Sequence, residues 1–456
     1  MLASMATVEA QVAHIYRRLG FGAVRKEINA GIAMGTGGLI TTLFRKPLTP
    51  FEAAGFPAAS ANQNRHAQRQ LELMAFGPSP TGSGTTSPNY NPLQERLTWT
   101  LQGLLVVGIA DSVYVADMRR YVASLRGAVK GTATYRQLVR DVITGPGMVK
   151  YLTADRNTKA HPNQNLGREL LELFCLGRLD PVTGALNYTQ ADVIEVSRAL
   201  SGWRYDWGNG TSHFDASQWD NGQKTFLGAP RGAADIDDVL AAIVAHPSWK
   251  RYVVARLYRD LTGLSASPSV VTALSASWGA DGNIKRVVKA IAKRPEFLSD
   301  QAIFNRTKTP VERLVAAARL LGWPGLGGDI NLPWWLDRMA QSPWSPPNVS
   351  GWPKGDQWLN ASNLHTWSEV ANHMAMRGFT WDGSIVGTIN PMVTKVHTQA
   401  TRTTAAVFVM KQAGLTPVSP RTHNALNDYA NAGAWTPARA AALLNLVLLT
   451  PEFLAN

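Results

Sequence analysis

The chain has 456 residues, of which 45% are hydrophobic and 17% charged, and these proportions indicate a folded globular protein and exclude extended disorder. Its net charge of +13, from 45 basic and 32 acidic residues, favours acidic partners such as nucleic acid, anionic lipid or acidic polysaccharide. The basic residues are scattered, however, so a solvated cationic surface is the simpler explanation. The single cysteine, Cys175, excludes an intramolecular disulfide and a thiolate metal cluster.

The N-terminal residues do not show a charged segment followed by an apolar one, so no signal peptide is expected in this numbering. The longest apolar run, 104–110, is interrupted by Gly108 and is too short to span a bilayer. We therefore expect a soluble protein without a transmembrane segment.

Apolar residues recur with a helical period along most of the chain. In segment 6–20, for example, Val8, Val12 and Ile15 fall on one helix face. The same reasoning predicts helices at 6–20, 65–76, 93–107, 110–126, 134–144, 163–176, 190–201, 235–245, 247–262, 268–278, 284–293, 309–321, 332–340, 361–376, 400–412 and 436–450. Helix starts at Thr189 and Thr309 are each followed three residues later by an acid, which is the capping-box pattern.

Strand signals are few. Segments 203–207 and 224–228 are predicted to form one short hairpin around an acidic loop, and 386–398 is mixed in character. Segment 77–92 is rich in proline and glycine and is interpreted as a mobile surface loop within the domain. The predicted fold class is mainly α: a single domain over residues 1–456, with one large helical core, long structured loops and at most a short β-hairpin.

The most distinctive segment, 163–177, is predicted to lie largely on one helix. One side of that helix carries the polar residues Asn165, Arg168, Glu169 and Glu172. Two carboxylates one turn apart, beside an arginine and an asparagine, can bind a sugar or a metal or supply a general acid. They can equally form a structural network in which Arg168 pairs with Glu172 four residues away, and both interpretations stay open.

Residues 215–224 form the second candidate site. Asp220-Asn221-Gly222 is typical of a turn, and an ordinary acidic turn explains it. The spacing lacks the pattern of an EF-hand loop, so calcium is not expected. Paired hydrolytic carboxylates flank the scissile bond from opposite sides, and a second acid would therefore come from Asp220 or Asp206.

The third candidate is 345–360, where prolines and glycines fix an irregular backbone. Trp352 and Trp358 offer flat faces there, and Asn348, Asp356 and Asn360 offer polar groups. Seven tryptophans fall between positions 323 and 367. Such clusters more often pack into cores than bind ligands, but polar groups in the same loop also fit a ligand groove.

A series of short motifs follows in a fixed order along the chain. They are His14-x-x-x-Arg18-x-x-Phe21-Gly22, Leu93-Gln94-Glu95-Arg96, the segment Asn163 to Gly177, Tyr188-Thr189-x-x-Asp192, Arg198-Ala199-Leu200-x-Gly202-Trp203, Asp220-x-Gly222-x-Lys224-x-x-Leu227-Gly228, His246-Pro247, Lys308-x-Pro310-x-Glu312 and Pro346-Pro347-Asn348-Val349-x-Gly351-Trp352. This order, over about residues 12–375, resembles the bacterial family called domain of unknown function 1800. Residues 376–456 are then expected to be a C-terminal helical extension that packs on the family region.

The chain departs from this resemblance in two places. Members of the family commonly carry a Trp-His-Asn-His-Phe motif, whereas the equivalent segment here, 99–104, lacks both histidines, and Gln164 replaces a glutamate. If the family's activity uses those histidines, this chain is a divergent or inactive member. The resemblance also implies export or association with the cell envelope.

These observations together favour a hydrolase-type enzyme acting on a polymeric substrate, a glycan in the first instance. The catalytic candidates are Glu169, Glu172 and Asp220, and the substrate-binding candidates are Asn163, Asn165, Arg168, Trp203, Lys224, Asn348, Trp352 and Trp358. No histidine or cysteine pair has metal-ligand spacing and no glycine-rich nucleotide loop is present, so neither a metal nor a cofactor is expected.

Two alternatives come from other functional classes. A non-catalytic scaffold or assembly subunit is favoured by the missing histidines. An electrostatic binder of nucleic acid or another acidic polymer is favoured by the charge. Of these polymers a polysaccharide is preferred to nucleic acid, because the tryptophans are concentrated whereas the basic residues are dispersed.

Overall fold

The computed structural model describes residues 6–79, 86–109, 113–131, 133–279, 282–323, 331–380 and 382–456. Most of them are helical, which confirms the predicted mainly α fold. The N-terminal helices are α1 (Val8–Arg18), α2 (Arg25–Arg45), α3 (Gln63–Phe76), α4 (Pro92–Gln102), α5 (Val115–Lys130), α6 (Tyr135–Ile143) and α7 (Pro146–Tyr151).

Two of these helices, α2 and α7, were not predicted. In α2 the glycines obscure the helical period, and one of them, Gly35, has a φ of 68° at a kink inside the helix. The predicted loop 77–92 lies partly outside the described residues, at 80–85. Its described end is packed: Tyr90 is buried and its hydroxyl donates to the carbonyl of Met74 at 2.7 Å. The first residues of the predicted helix 110–126, namely 110–112, also lie outside the described residues.

The middle of the chain combines helices with two small sheets. Its elements are α8 (Asn165–Glu169), which continues into a π-helical turn (Leu170–Cys175), α9 (Gln190–Ala199), β1 (Trp203–Asp206), β2 (Thr211–Phe214), β3 (Lys224–Phe226), β4 (Ala229–Gly232), α10 (Ile236–Ala245), α11 (Ser248–Thr262), α12 (Pro268–Ser277) and α13 (Ile284–Ala292). The predicted pairing of 203–207 with 224–228 is wrong. Instead β1 pairs with β2, and β3 with β4, as two separate antiparallel hairpins.

The C-terminal part is again helical. It comprises α14 (Pro310–Leu321), α15 (Leu332–Arg338), α16 (Ala361–Ala375), α17 (Pro391–His397), α18 (Arg402–Gln412), α19 (Pro420–Asn431), α20 (Pro437–Leu448) and α21 (Pro451–Leu454). Each of α17, α19 and α21, none of which was predicted, begins with a proline directly after an Asn, Ser or Thr whose side chain caps the helix. Proline suits the first helical position because its missing N–H would have no partner there.

Within the described ranges, the buried hydrophobic residues form two clusters. The first is built mainly from α1, α2 and α4 to α13, and the second from α3 and α14 to α21. Helix α4 belongs to both, because Leu97 and Leu101 lie in the first cluster while Trp99 lies in the second. The core that was expected to be continuous is therefore two clusters that meet at α4. None of the helices in the described ranges has the length and apolar character needed to cross a membrane.

Candidate functional site

The asparagines that precede α8 hold the local backbone. The Asn163 side chain accepts a hydrogen bond from the backbone N–H of Asn165 at 2.9 Å. Both side-chain amides also donate to the hydroxyl of Thr153, at 3.1 and 3.3 Å. Thr153 itself has a φ of 53°, a left-handed conformation that a threonine rarely adopts. The two asparagines thus tie α8 to a strained turn.

Arg168 does not form the ion pair predicted from its sequence. Its guanidinium donates to the side-chain oxygens of Gln164 at 3.3 Å and Gln190 at 3.0 Å, and it forms no salt bridge with any described acid. The helix changes from α to π at Leu170, and a π-helical turn contains more residues than an α turn. Glu172, four residues after Arg168, is therefore displaced from the position that an α-helix would give it.

Glu169 and Glu172 differ in their surroundings. Glu172 accepts a hydrogen bond from the Tyr188 hydroxyl at 3.0 Å. Glu169 is half-buried, and its burial, together with the nearby negative charge of Glu172, raises its pKa above the ordinary value. A carboxyl group with a raised pKa stays protonated closer to neutral pH and is suited to proton transfer.

Asp220 lies in a different environment. Arg198 donates to both of its carboxylate oxygens, at 2.7 and 3.2 Å, and these bonds lower the Asp220 pKa. Lys224, which is buried, donates to the carbonyls of Asp220 and Gly222. Trp203 packs against Phe214, its pairing partner in the β1–β2 hairpin, at 5.9 Å between ring centroids. The segment is thus held by internal contacts, and none of the described contacts joins Asp220 to Glu169 or Glu172.

The three candidates of the tryptophan-rich loop lie in different places. Trp358 is fully buried and its carbonyl accepts a hydrogen bond from Arg313. Asn348 is exposed and its side chain caps the following turn. Trp352 stacks on Trp99, with ring centroids 4.8 Å apart. Only Trp352 of the three lines the cavity described next.

A cavity of about 490 Å³ lies where the two hydrophobic clusters meet. Helices α4 and α11, the loop before α14, and a short 3-10 turn at Gly355–Trp358 form its wall. The lining residues that carry side-chain charge or aromatic surface are Arg96, Trp99, Arg256, Arg259, Asp260, Arg306, Glu312, Trp352, Lys354 and Asp356. Trp352, Lys354 and Asp356 belong to the candidate segment 345–360, whereas the other residues of this list were not predicted as site residues from the sequence.

Helical spacing places several of these side chains together. Helix α4 contributes three residues with the spacing i, i+3, i+4, namely Arg96, Trp99 and Thr100. Helix α11 contributes three with the same spacing, namely Arg256, Arg259 and Asp260. Such residues share one helix face. The hydroxyl of Thr100 donates to the carboxylate of Asp260 at 2.8 Å, so the two faces meet in the cavity wall.

Among the described residues, five cationic side chains and three acidic ones line the cavity. Glu312 is buried, and burial alone would raise its pKa; Arg306 and Arg96 more than offset this and hold the pKa well below its ordinary value. Asp356 accepts a hydrogen bond from Thr307 at 2.8 Å. Because Glu312 is shared between two arginines, the charge that faces the cavity is positive.

The mouth of the cavity is cationic and exposed. Arg259 and Lys354 are both solvent-exposed. The Lys354 ammonium group nevertheless lies in a concave surface, where surrounding protein partly removes it from water. This desolvation lowers the pKa of Lys354, and the charges of Arg256 and Arg259 lower it further. Arg256 donates to the carbonyl of Gly103 at 3.1 Å and to that of Leu173, so it connects the cavity with the π-helical turn after Glu169.

Within the described residues, no three His, Cys, Asp or Glu side chains are grouped so that they could hold a metal ion together. Comparisons with curated proteins and with solved structures found no match to the chain. The family described as "Protein of unknown function (DUF1800)" matches residues 14–455. This range includes the C-terminal helices beyond residue 375 and so nearly the whole chain. The chain therefore belongs to the DUF1800 family.

Proposed function

We propose that the protein binds an acidic glycan in the cavity between its two hydrophobic clusters. The observation that carries this proposal is the combination of five cationic side chains with the stacked Trp99–Trp352 pair in one cavity wall. A cavity of about 490 Å³ also falls in the range of typical small-ligand sites, roughly 300–1,000 Å³.

The charge of the cavity supports an anionic ligand. Arg259 and Lys354 stand exposed at its mouth, and Arg306 lies in its wall. A concave site with low-dielectric walls concentrates the field of such charges and attracts ligands of opposite sign. The overall charge of +13 acts in the same direction at longer range.

The uncharged part of the wall supports a sugar. Trp352 and Trp99 provide apolar surface, and Thr100, Asn305 and Gln341 provide hydrogen-bonding groups. A few placed polar groups beside aromatic surface can orient a ligand that has both hydroxyls and apolar ring faces. Single-stranded nucleic acid, in contrast, is typically bound along an extended groove with successive stacking surfaces.

A second candidate function is hydrolysis of that glycan. Its support is the raised pKa of Glu169 beside Glu172, which suits a general acid. Glu169 is not among the described residues that line the cavity, but Arg256, which is, hydrogen bonds to the turn that follows Glu169. Because Asp220 is paired with Arg198, we propose Asp260 or Asp356, both in the cavity wall, as the second carboxylate.

Binding is tested by calorimetry with a uronic-acid oligosaccharide, its carboxyl-reduced neutral form and a single-stranded DNA of equal charge. We expect the acidic oligosaccharide to bind best, and Arg259→Gln combined with Lys354→Gln to weaken it about tenfold, equal to about 1.4 kcal/mol. Trp352→Ala should weaken both oligosaccharides.

The matched controls lie outside the cavity. Arg421→Gln removes an exposed charge and Trp334→Ala an exposed indole, and neither should change binding. Equal affinity for the acidic and neutral oligosaccharides, or an equal loss in the Arg421→Gln control, would contradict the proposal. Tighter binding of the DNA would favour the nucleic-acid alternative, and no binding of any probe would favour a scaffold.

A further inference from the structure

A cluster of buried cations lies behind the cavity wall. Its members come from α1, the loop before α14, and α14 itself; four of the five are almost fully buried, and the fifth, Arg306, keeps 15% of its side chain exposed. They are Arg17, Arg18, Arg306, Lys308 and Arg313, with Arg17 at 4% exposure, Arg18 at 1%, Lys308 at 3% and Arg313 at 0%. Arginine and lysine are rarely buried to this extent unless they are paired with acids.

The cations lie close enough to repel one another. Burial makes the largest contribution to the lowered pKa of Arg18, and the charge of Arg306 lowers this pKa further. The charge of Arg17, again after burial, contributes to lowering that of Lys308. Glu312 acts in the opposite direction on both groups. This one carboxylate already forms ion pairs with Arg306 and with Arg96 of the cavity wall.

Most hydrogen-bond partners of the cluster are uncharged. Arg17 donates to the Gly414 carbonyl at 3.0 Å, and Lys308 donates to two backbone carbonyls near α21. Arg18 donates to the side-chain oxygen of Asn305 at 2.7 Å. These bonds satisfy some N–H groups but neutralise none of the charges.

Several buried N–H groups of the same arginines have no acceptor among the described residues. They are Nε and Nη2 of Arg17, Nε and Nη1 of Arg18, Nε of Arg306, and Nε and Nη1 of Arg313. An unpaired buried charge is strongly unfavourable. A negatively charged group at the edge of the cluster would offset the charge deficit.

The cluster meets the cavity at Asn305 and Arg306. Both residues line the cavity, and Asn305 holds Arg18 directly behind it. Arg306 forms an ion pair with Glu312, and its Nε has no partner in the described part of the chain. The Asn305 side chain therefore lies between a ligand bound at this wall and the buried Arg18 guanidinium.

We propose that this wall, at Asn305 and Arg306, is a binding site for a tetrahedral oxyanion of the phosphate or sulfate class. Arg306 contacts the oxyanion, and the Arg18 charge behind Asn305 adds to the attraction. The cations of the cluster outnumber the acids whose charges act on them, Glu312 and Asp260, and this excess favours a doubly charged oxyanion over a carboxylate or chloride. The inference rests on the proposed function only in so far as it assigns the acidic group of the glycan to a phosphate monoester, which carries about 1.5 to 2 negative charges near neutral pH.

The first test uses the whole protein with inorganic phosphate as the probe. Thermal unfolding is followed against phosphate concentration, with chloride at equal ionic strength as the reference. We expect Tm to rise with phosphate and to follow mass action for one site, while chloride has no comparable effect. Isothermal titration should give one phosphate bound per chain.

Asn305→Asp is the decisive variant, because position 305 is exposed and the new carboxylate replaces the oxygen that accepts from Arg18. It neutralises part of the cluster and repels the oxyanion. We expect a higher Tm than that of the wild type without phosphate, and at least a tenfold loss of phosphate affinity. Arg306→Gln should also lose affinity, whereas Arg319→Gln, which removes a buried arginine paired with Glu27, should retain it.

The source of the oxyanion is distinguished by competition. A phosphorylated oligosaccharide that binds more tightly than inorganic phosphate and is displaced by it identifies an ester of the glycan as the ligand. Phosphate binding without any oligosaccharide binding supports the oxyanion site and contradicts the proposed function. Glycan binding that is unchanged by added phosphate and by Asn305→Asp contradicts the oxyanion site alone. A Tm that responds equally to phosphate and chloride contradicts it as well.

Discussion

Arg96 on α4 and Glu312 on α14 form a buried ion pair, although 216 positions separate them in the chain. Arg96 also donates to the carbonyls of Gly20 at 3.0 Å and Arg17 at 2.9 Å, and Glu312 accepts a further bond from Arg306. The pair therefore joins the end of α1, α4 and α14 at the boundary between the two hydrophobic clusters.

Replacement of Glu312 by glutamine should be strongly destabilising. It leaves Arg96 and Arg306 buried without their counter-charge, and loss of one partner of a buried ion pair costs about 3–5 kcal/mol. The free energy of unfolding is measured with denaturant in phosphate-free buffer. Glu296→Gln is the control, since its partner Arg294 is more exposed and a surface pair contributes less than about 1 kcal/mol. Similar losses in the two variants would show that the Glu312 network is unimportant.

Stability should fall as pH decreases below 6.5, partly because of His14. Burial, followed by the charges of Arg18 and Arg17, lowers the pKa of His14 well below 6.5. Below pH 6.5 the unfolded chain therefore takes up a proton that the folded protein excludes, and the unfolding free energy falls by up to about 1.4 kcal/mol per pH unit for this one group.

Burial also lowers the pKa values of His66 and His246, so a variant is needed to isolate His14. We expect His14→Leu to show a shallower loss of stability between pH 6.5 and 5 than the wild type. The exposed His365 provides the control, and His365→Gln should keep the wild-type slope. An unchanged slope in His14→Leu would mean that folding does not lower the pKa of His14.

Glu172→Gln should lower the pKa of Glu169. Burial makes the largest contribution to the raised Glu169 pKa, and the negative charge of Glu172 adds to it; removal of that charge eliminates the second contribution only. Carboxyl ¹³C NMR measures the shift directly. Glu452→Gln, far away beside Ser419, should leave the titration of Glu169 unchanged, and the same result in Glu172→Gln would refute the assignment.

If the protein hydrolyses a glycan, Glu169→Gln should abolish release of reducing ends without lowering Tm. In Glu172→Gln the basic limb of the pH–rate profile should then move to lower pH, because the general acid loses its proton earlier. A fall in Tm together with retained activity would instead assign Glu169 a structural role.

Gly167→Ala should separate α8 from α9. The added Cβ would lie 2.3 Å from the Ser197 hydroxyl and 3.2 Å from the Ser197 backbone, and such overpacking costs about 1–3 kcal/mol. Gly127, within α5, is the matched control, because an added Cβ meets nothing within 4 Å there. Gly127→Ala should stabilise the protein by about 0.5–1 kcal/mol through its helix propensity. Equal effects at the two positions would contradict the close packing of α8 on α9.

Local signals in the sequence predict most of the helices. Thr189 caps α9 as expected, with its hydroxyl accepting from the Asp192 N–H at 3.2 Å and the Asp192 carboxylate accepting from the Thr189 N–H at 2.7 Å. The same kind of signal precedes unpredicted helices, in Ser419-Pro420 and Thr450-Pro451. These short helices lack a long apolar period, but the cap followed by proline was available in the sequence.

The hairpins and the cavity depend on contacts that periodicity does not specify. Alternating residues indicate that Trp203–Asp206 is extended, but not that its partner is Thr211–Phe214. Similarly, the spacing of Arg256 and Arg259 shows that they share a helix face, but not that this face meets α4. The candidate site at Glu169 could be chosen from local sequence, whereas the cavity required the packing of distant helices.

The position of the cavity also affects how the protein unfolds. Leu104 in its wall belongs to the first hydrophobic cluster, whereas Trp99 and Trp352 belong to the second. A molecule bound there contacts both clusters at once, so separation of one from the other destroys its site. If the cavity binds the proposed ligand, binding couples the two clusters, and at saturation we expect them to denature as one cooperative unit.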